Sequence, residues 1–153
     1  MLNATDGKKV NAPALSSLGQ GFGLLEANGV VYYCSDTQLT AIRGTAVLWK
    51  QKYSNAATIA FSQETLFVVT MFPLESASKT FGTYFYALDA STGKIKWHWG
   101  EKSSNGTSWG PGYPTSLDGK LYFFFSDDSR GANSAYGLWI LHDGKRDFYP
   151  LQD

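Results

Sequence analysis

The residues able to do chemistry are few and scattered. Asp127 and Asp128 stand together in Ser126-Asp127-Asp128-Ser129-Arg130-Gly131. Adjacent carboxylates in a polar loop suggest calcium, but a calcium loop needs oxygen ligands at alternating positions and a distal Glu. Asn133 is available and the Glu is missing, so a solvated loop between strands is the favoured reading. His98 and His142 lack Cys or carboxylate partners at metal-ligand spacing. A solvent-facing or hydrogen-bonded structural role is read for each, and His98, flanked by Trp97 and Trp99, points away from both on a strand. Cys34 is the single cysteine, which excludes an internal disulfide and a Cys-rich zinc site. It ends an apolar run and reads as an inert buried thiol. No serine occupies a Gly-x-Ser-x-Gly elbow. Gly19-Gln20-Gly21-Phe22-Gly23 has the glycines of a phosphate loop but no helix after it, so it reads as a flexible entry to a strand.

One segment suits recognition better than catalysis. Ser104 to Pro114 is rich in Gly and Pro and carries Trp109 and Tyr113. Trp109 offers a flat face for a sugar, a quinone or a peptide, or a lid over its own strands. Together with Asp127, Asp128 and Arg130 these aromatics are the candidate ligand or partner loops. The insertion from Pro73 to Thr80 is a further exposed loop.

These residues are held by short apolar runs separated by Gly, Ser, Asn or Asp. Val30-Val31-Tyr32-Tyr33-Cys34 follows Asn28-Gly29, and Leu121-Tyr122-Phe123-Phe124-Phe125 follows Asp118-Gly119. Both are hairpin signals before β-branched or aromatic strands. Leu66-Phe67-Val68-Val69 reads the same way, and no stretch shows a 3.6-residue period with helix caps. The chain is therefore predicted to be all-β.

Composition narrows the class. The 153 residues carry 13 basic and 13 acidic side chains, for a net charge of zero. A neutral chain without basic clusters has no electrostatic basis for nucleic-acid binding. At 16% aromatic and only 17% charged it is not a disordered segment. Its apolar runs are too short to span a membrane as a helix.

The strands recur in units. Ala87-Leu88-Asp89-Ala90-Ser91-Thr92-Gly93-Lys94-Ile95-Lys96-Trp97 is two strands and a tight turn. Ala41 to Trp49 is the same unit with two residues fewer in the turn. Leu138 to Phe148 is a third copy: setting Gly144 on Gly93 puts Phe148 on Trp97. Leu2 to Lys8 overlays Leu88 to Lys94, with Asn11 where Trp would stand. Each complete copy is preceded by two more strands, the first near Gly21–Glu26, Thr58–Ser62 and Tyr113–Leu117. Four strands per roughly 50 residues is the size of a propeller blade. The predicted division is 1–11 as the end of a preceding blade, then blades at 12–53, 54–103 and 104–153.

The second copy, Ala-x-Asp-x-x-Thr-Gly-x-x-x-Trp with Ala87, Asp89, Thr92, Gly93 and Trp97, resembles the tryptophan-docking repeat of the PQQ-like β-propellers. That family includes quinoprotein alcohol and sugar dehydrogenases and outer-membrane assembly scaffolds. The first copy keeps Ala41 and Trp49, and the third keeps Gly144 and has Phe148 for Trp. The motif's own chemistry is structural. Asp89 accepts from backbone two residues on, Gly93 supplies a positive φ, and the indole brings a large apolar body with one N–H donor. The resemblance implies that Trp49, Trp97 and Phe148 pack between blades, with Ala87 leaving room for a ring.

The expected architecture is thus a partial β-propeller of about three four-stranded antiparallel blades. Three blades cannot close a ring. Either the chain is a piece of a longer propeller or protomers combine, and open blade edges then invite a protein partner or self-association. The reading is a non-catalytic binding or assembly scaffold. The alternative is a fragment of a PQQ-dependent alcohol or sugar dehydrogenase. The resemblance implies for such enzymes PQQ at the propeller axis, a calcium ion and a catalytic Asp. Here no calcium ligands can be assigned and the vicinal Cys pair of many alcohol dehydrogenases is missing. Catalytic residues and metal ligands are therefore set at none, and PQQ and calcium belong to the alternative alone. The resemblance also implies a periplasmic or extracellular setting, although no signal peptide is read in this chain.

Overall fold

A computed structural model describes residues 21–35, 37–52, 56–70, 73, 82–102, 114–127 and 135–151. The described residues form twelve strands and no helix: β1 (Gly21–Ala27), β2 (Val30–Ser35), β3 (Gln38–Arg43), β4 (Ala46–Lys52), β5 (Ala56–Ser62), β6 (Thr65–Thr70), β7 (Gly82–Asp89), β8 (Ile95–Lys102), β9 (Thr115–Leu117), β10 (Lys120–Asp127), β11 (Ala135–His142) and β12 (Lys145–Pro150). They pair in sequence order as three four-stranded antiparallel sheets, β1–β4, β5–β8 and β9–β12. The protein is all-β, three blades of a partial β-propeller.

Tight turns set the sheets. Asn28-Gly29, Asp118-Gly119 and Asp143-Gly144 each hold two consecutive positive φ values, the backbone of a two-residue hairpin whose twist matches its strands. Gln63-Glu64 does the same with φ of 47° and 55°. No glycine or Asn announces that turn in the sequence.

The core lies between the sheets. Alternate residues on a strand face opposite sides, and the middle sheet is covered on both. Leu66 and Val68 of β6, with Tyr84, Tyr86 and Leu88 of β7, pack on Val30, Tyr32, Cys34, Leu39 and Ala41 of the first sheet. Phe67, Val69, Phe85 and Ala87 pack on Leu121, Phe123, Trp139 and Leu141 of the third. This explains why the β6 run shows no apolar–polar alternation: every residue of the strand is buried. Cys34 is buried in the first of these layers.

Candidate functional site

The described site is the pair of junctions between blades, and the turn after β7 is its centre. The Asp89 carboxylate Oδ1 accepts from the Ser91 and Thr92 backbone N–H groups at 3.1 and 2.9 Å. It also accepts from the Ser91 and Thr92 hydroxyls at 2.7 and 2.9 Å. Gly93 N donates to Asp89 O at 2.8 Å, and Asp89 N to Lys94 O at 2.8 Å. Gly93 has the φ of +72° that the closure requires. Hydrogen bonds that favour the ionised form depress a carboxyl. Those from the Ser91 side chain, then from Thr92, bring Asp89 down to about 2.

The turn receives the first blade. Ala90 O accepts from Trp49 Nε1 at 2.9 Å and from the Tyr32 hydroxyl at 3.3 Å. The Trp49 ring lies over Gly93 so closely that an added methyl there would come within 2.7 Å of Trp49 Cε3. Tyr32 stacks on Phe61, with ring centroids 6.0 Å apart. Burial, then the charge of Glu64, pushes its phenol above the usual tyrosine range. Polar links run beside the rings. Ala90 N donates to Glu64 O at 3.1 Å, Asn28 Nδ2 to Glu64 Oε1 at 2.8 Å, and Lys96 Nζ to Thr65 Oγ1 at 2.9 Å. The unheralded Gln63-Glu64 turn is therefore a contributor to the first junction that sequence reasoning missed.

The second junction is rich in aromatic rings. Phe85 stacks on Phe123 with centroids at 4.5 Å, and Trp99 and Trp139 lie 5.8 Å apart. Arg146 covers them, its guanidinium carbon 4.1 Å from the Trp139 ring and 5.2 Å from that of Trp99, a cation–π arrangement. Trp97 packs beside Phe67 at 5.9 Å, and its Cβ is 3.8 Å from where a methyl on Gly144 would stand. Ser116 Oγ donates to Phe61 O at 2.7 Å, and Gly119 N to Ser62 Oγ at 3.2 Å. These bonds fasten the start of the third blade to β5.

Phe148 lies between the second and third blades, on the opposite face of its sheet from the one Trp97 takes in its own. The sequence overlay sets it on Trp97. It faces the middle sheet, its ring 5.3 Å from that of Trp139 and against Gly137. The cause is register. In the first two blades a bulge between Ala41 and Ile42, and another between Ala87 and Leu88, brings Trp49 opposite Ala41 and Trp97 opposite Ala87. The β11–β12 ladder has no bulge, so Phe148 pairs with Trp139 and Asp147 pairs with Ile140. A one-residue slip flips a side chain to the other face.

The remaining candidates are quickly placed. His98 lies opposite Tyr86, with ring centroids at 5.7 Å, on the face away from its flanking tryptophans. His142 Nε2 donates to Asp147 Oδ2 at 2.9 Å. Trp109, Tyr113, Asp128 and Arg130 lie outside the described residues, as do residues 1–20 and 74–80; Asp127 is described only as the last backbone position of β10. Of the described candidates, Ala41, Trp49, Asp89, Thr92 and Gly93 meet at the first junction, and Ala87, Trp97 and Gly144 at the second. Among the described residues no group of three or more His, Cys, Asp or Glu is placed to hold a metal ion, and no helix is long and apolar enough to cross a membrane.

Comparison with known proteins places the fold and stops there. No family model matches the chain, and no curated protein matches it. Among solved structures it is similar to the quinohemoprotein alcohol dehydrogenase from Comamonas testosteroni, with a TM-score of 0.53 and 18% sequence identity. The match covers 88% of this chain and 22% of that one, so this chain spans about a fifth of the enzyme's length. At this identity the likeness is one of fold: the blades are arranged as they are in that propeller enzyme.

Proposed function

We propose that this chain is a PQQ-like β-propeller repeat segment acting as a non-catalytic binding or assembly scaffold, in a periplasmic or extracellular setting. The observation that carries the reading is the outward face of the third blade. Phe124 is 61% and Tyr149 55% exposed, beside the half-buried Tyr122, Leu138 and Ile140. Apolar side chains gathered on one open sheet face mark a contact surface. The groups that look chemical are occupied otherwise: Asp89 closes a turn, and Trp49 locks a junction.

The test has two arms. The chain supplied with PQQ, calcium and an artificial electron acceptor is expected to show no turnover; PQQ-dependent oxidation of an alcohol or sugar would overturn the reading. The double variant Phe124→Lys, Tyr149→Lys is expected to keep its melting temperature while losing binding of an apolar dye. A fall of more than about 5 °C would mean that these rings hold the fold together, and the scaffold reading would fail with it. The alternative, a segment of a PQQ-dependent dehydrogenase, draws on the fold likeness alone.

A further inference from the structure

We propose that Asn28 is a deamidation site, and that its conversion to Asp or isoAsp undoes the bond that clasps the first blade to the middle one. The inference stands apart from the scaffold reading.

The β1–β2 hairpin brings together a nucleophile, a base and an oriented leaving group. Asn28 and Gly29 are both exposed. The Gly29 amide nitrogen is the group that attacks the side chain of the residue before it, and glycine adds no side chain to hinder the approach. A methyl built on Gly29 would meet nothing within 4 Å, so the succinimide ring has room to form. The Gly29 N–H donates to Glu26 Oε1 at 2.8 Å, which is the reach a general base needs. Asn28 Nδ2 donates to Glu64 Oε1 at 2.8 Å, which orients the amide that departs. The turn holds Asn28 and Gly29 at φ of 53° and 72°, and the attack takes place as it opens locally. Exposed turns at the end of a sheet belong to the least stable parts of a fold.

The step balances. Gly29 N bonds to Asn28 Cγ, and the Cγ–Nδ2 bond breaks. The Gly29 proton passes through Glu26 to the departing nitrogen, which leaves as ammonia. Water then opens the succinimide at either carbonyl and gives Asp or isoAsp.

The consequence lies at the first junction. The Asn28–Glu64 bond ties the β1–β2 turn to the Gln63-Glu64 turn of the middle blade. Glu64 O accepts from Ala90 N at 3.1 Å, and Ala90 O holds Trp49 and Tyr32 of the first blade. Deamidation removes the N–H donor and sets a new carboxylate against that of Glu64. Like charges placed opposite one another are destabilising. The isoAsp product also lengthens the main chain of a two-residue turn, whose length fixes the strand register.

The experiment incubates the folded chain at mildly alkaline pH. Peptide mass spectrometry and an isoaspartyl methyltransferase assay read the product, and the urea-unfolded chain serves as the clock. Asn28 in the folded chain is expected to become a mixture of Asp and isoAsp, several-fold more slowly in Glu26→Gln. Circular dichroism checks that each variant folds. Asn28 left intact after several half-lives of the same residue in urea overturns the proposal, as does a rate unchanged in Glu26→Gln. Hydrogen exchange then reads the clasp. Asn28→Asp is expected to speed exchange of the Ala90 amide about two- to fivefold, the range of an exposed charge pair. Adding Glu64→Gln is expected to restore the slow rate, since an amide then donates to a carboxylate from the other side. Exchange unchanged in Asn28→Asp, or not restored in the double variant, would mean that the charge at Glu64 is not what the modification acts on, and the proposal falls. None of these outcomes bears on the scaffold reading, which falls only to the turnover and stability assays above.

Discussion

At the scale of single residues, the junction chemistry is concentrated in a few atoms. Ala90 O accepts two hydrogen bonds from the neighbouring blade. Trp49→Phe keeps an aromatic side chain but removes the donor and part of the ring system over Gly93, so it is expected to cost at least about 0.5–1.5 kcal/mol by chemical denaturation. Gly93→Ala has a larger effect than Gly144→Ala. Both positions have φ near +70°, which costs a non-glycine residue about 1–2 kcal/mol. Only at Gly93 does the methyl also meet the Trp49 ring. A difference of at least about 1 kcal/mol between the two variants is expected. Asp89 carries a pH signature. Its folded value near 2 lies below the ordinary 3.8, so its contribution is complete above the unfolded value and fades as pH falls through the folded one. The stability gap between wild type and Asp89→Asn should stay constant above about pH 5 and close between about pH 4 and pH 2. A gap unchanged down to pH 2 would mean that the carboxylate charge is immaterial to the turn.

At the scale of strands, bulges decide which face an aromatic occupies. The bulged third-to-fourth strand ladders of the first two blades carry Trp49 and Trp97 on the forward face. The regular β11–β12 ladder turns Phe148 back toward Trp139 and leaves Asp147 forward. Gly137 exists in that setting because the Phe148 ring and the Tyr149 carbonyl occupy the space a side chain would need. Gly137→Ala is therefore expected to displace Phe148 and destabilise the chain by about 1–3 kcal/mol, the usual range for overpacking. The same substitution made together with Phe148→Ala should cost less than the sum of the two singles, because the clash and the ring leave together.

At the scale of the whole molecule, stability is centred on the middle sheet. Its inner strands β6 and β7 are buried along nearly their full length, whereas β4 and β12 are largely exposed. Hydrogen exchange should therefore be slowest at residues 65–70 and 82–89 and fastest at 46–52 and 145–150. Equal protection in all three sheets would mean that the blades unfold as one unit. The outer faces follow from the same geometry. Among the described residues the third sheet is covered on one side only, and Phe124 of β10 is 61% exposed on its other side.

Much of this was legible in the sequence because it is local. The four-strand rhythm, the Asn28-Gly29, Asp118-Gly119 and Asp143-Gly144 hairpins, and the carboxylate-closed turn at Asp89 each depend on residues within a few positions of one another. Backbone conformational limits and side chain–backbone hydrogen bonds act at that range. The strands on either side imply a connection at Gln63-Glu64, but its tight form was not legible, because neither residue type prefers a positive φ and the turn is held by contacts distant in sequence, from Asn28 of the first blade and Ala90 of its own. Only the tertiary structure decided which aromatics meet across a junction. Facing alternates with every residue along a strand, so one inserted bulge residue reverses the outcome for all that follow. That is why Trp97 and Phe148, alike in the sequence repeat, look in opposite directions in the fold.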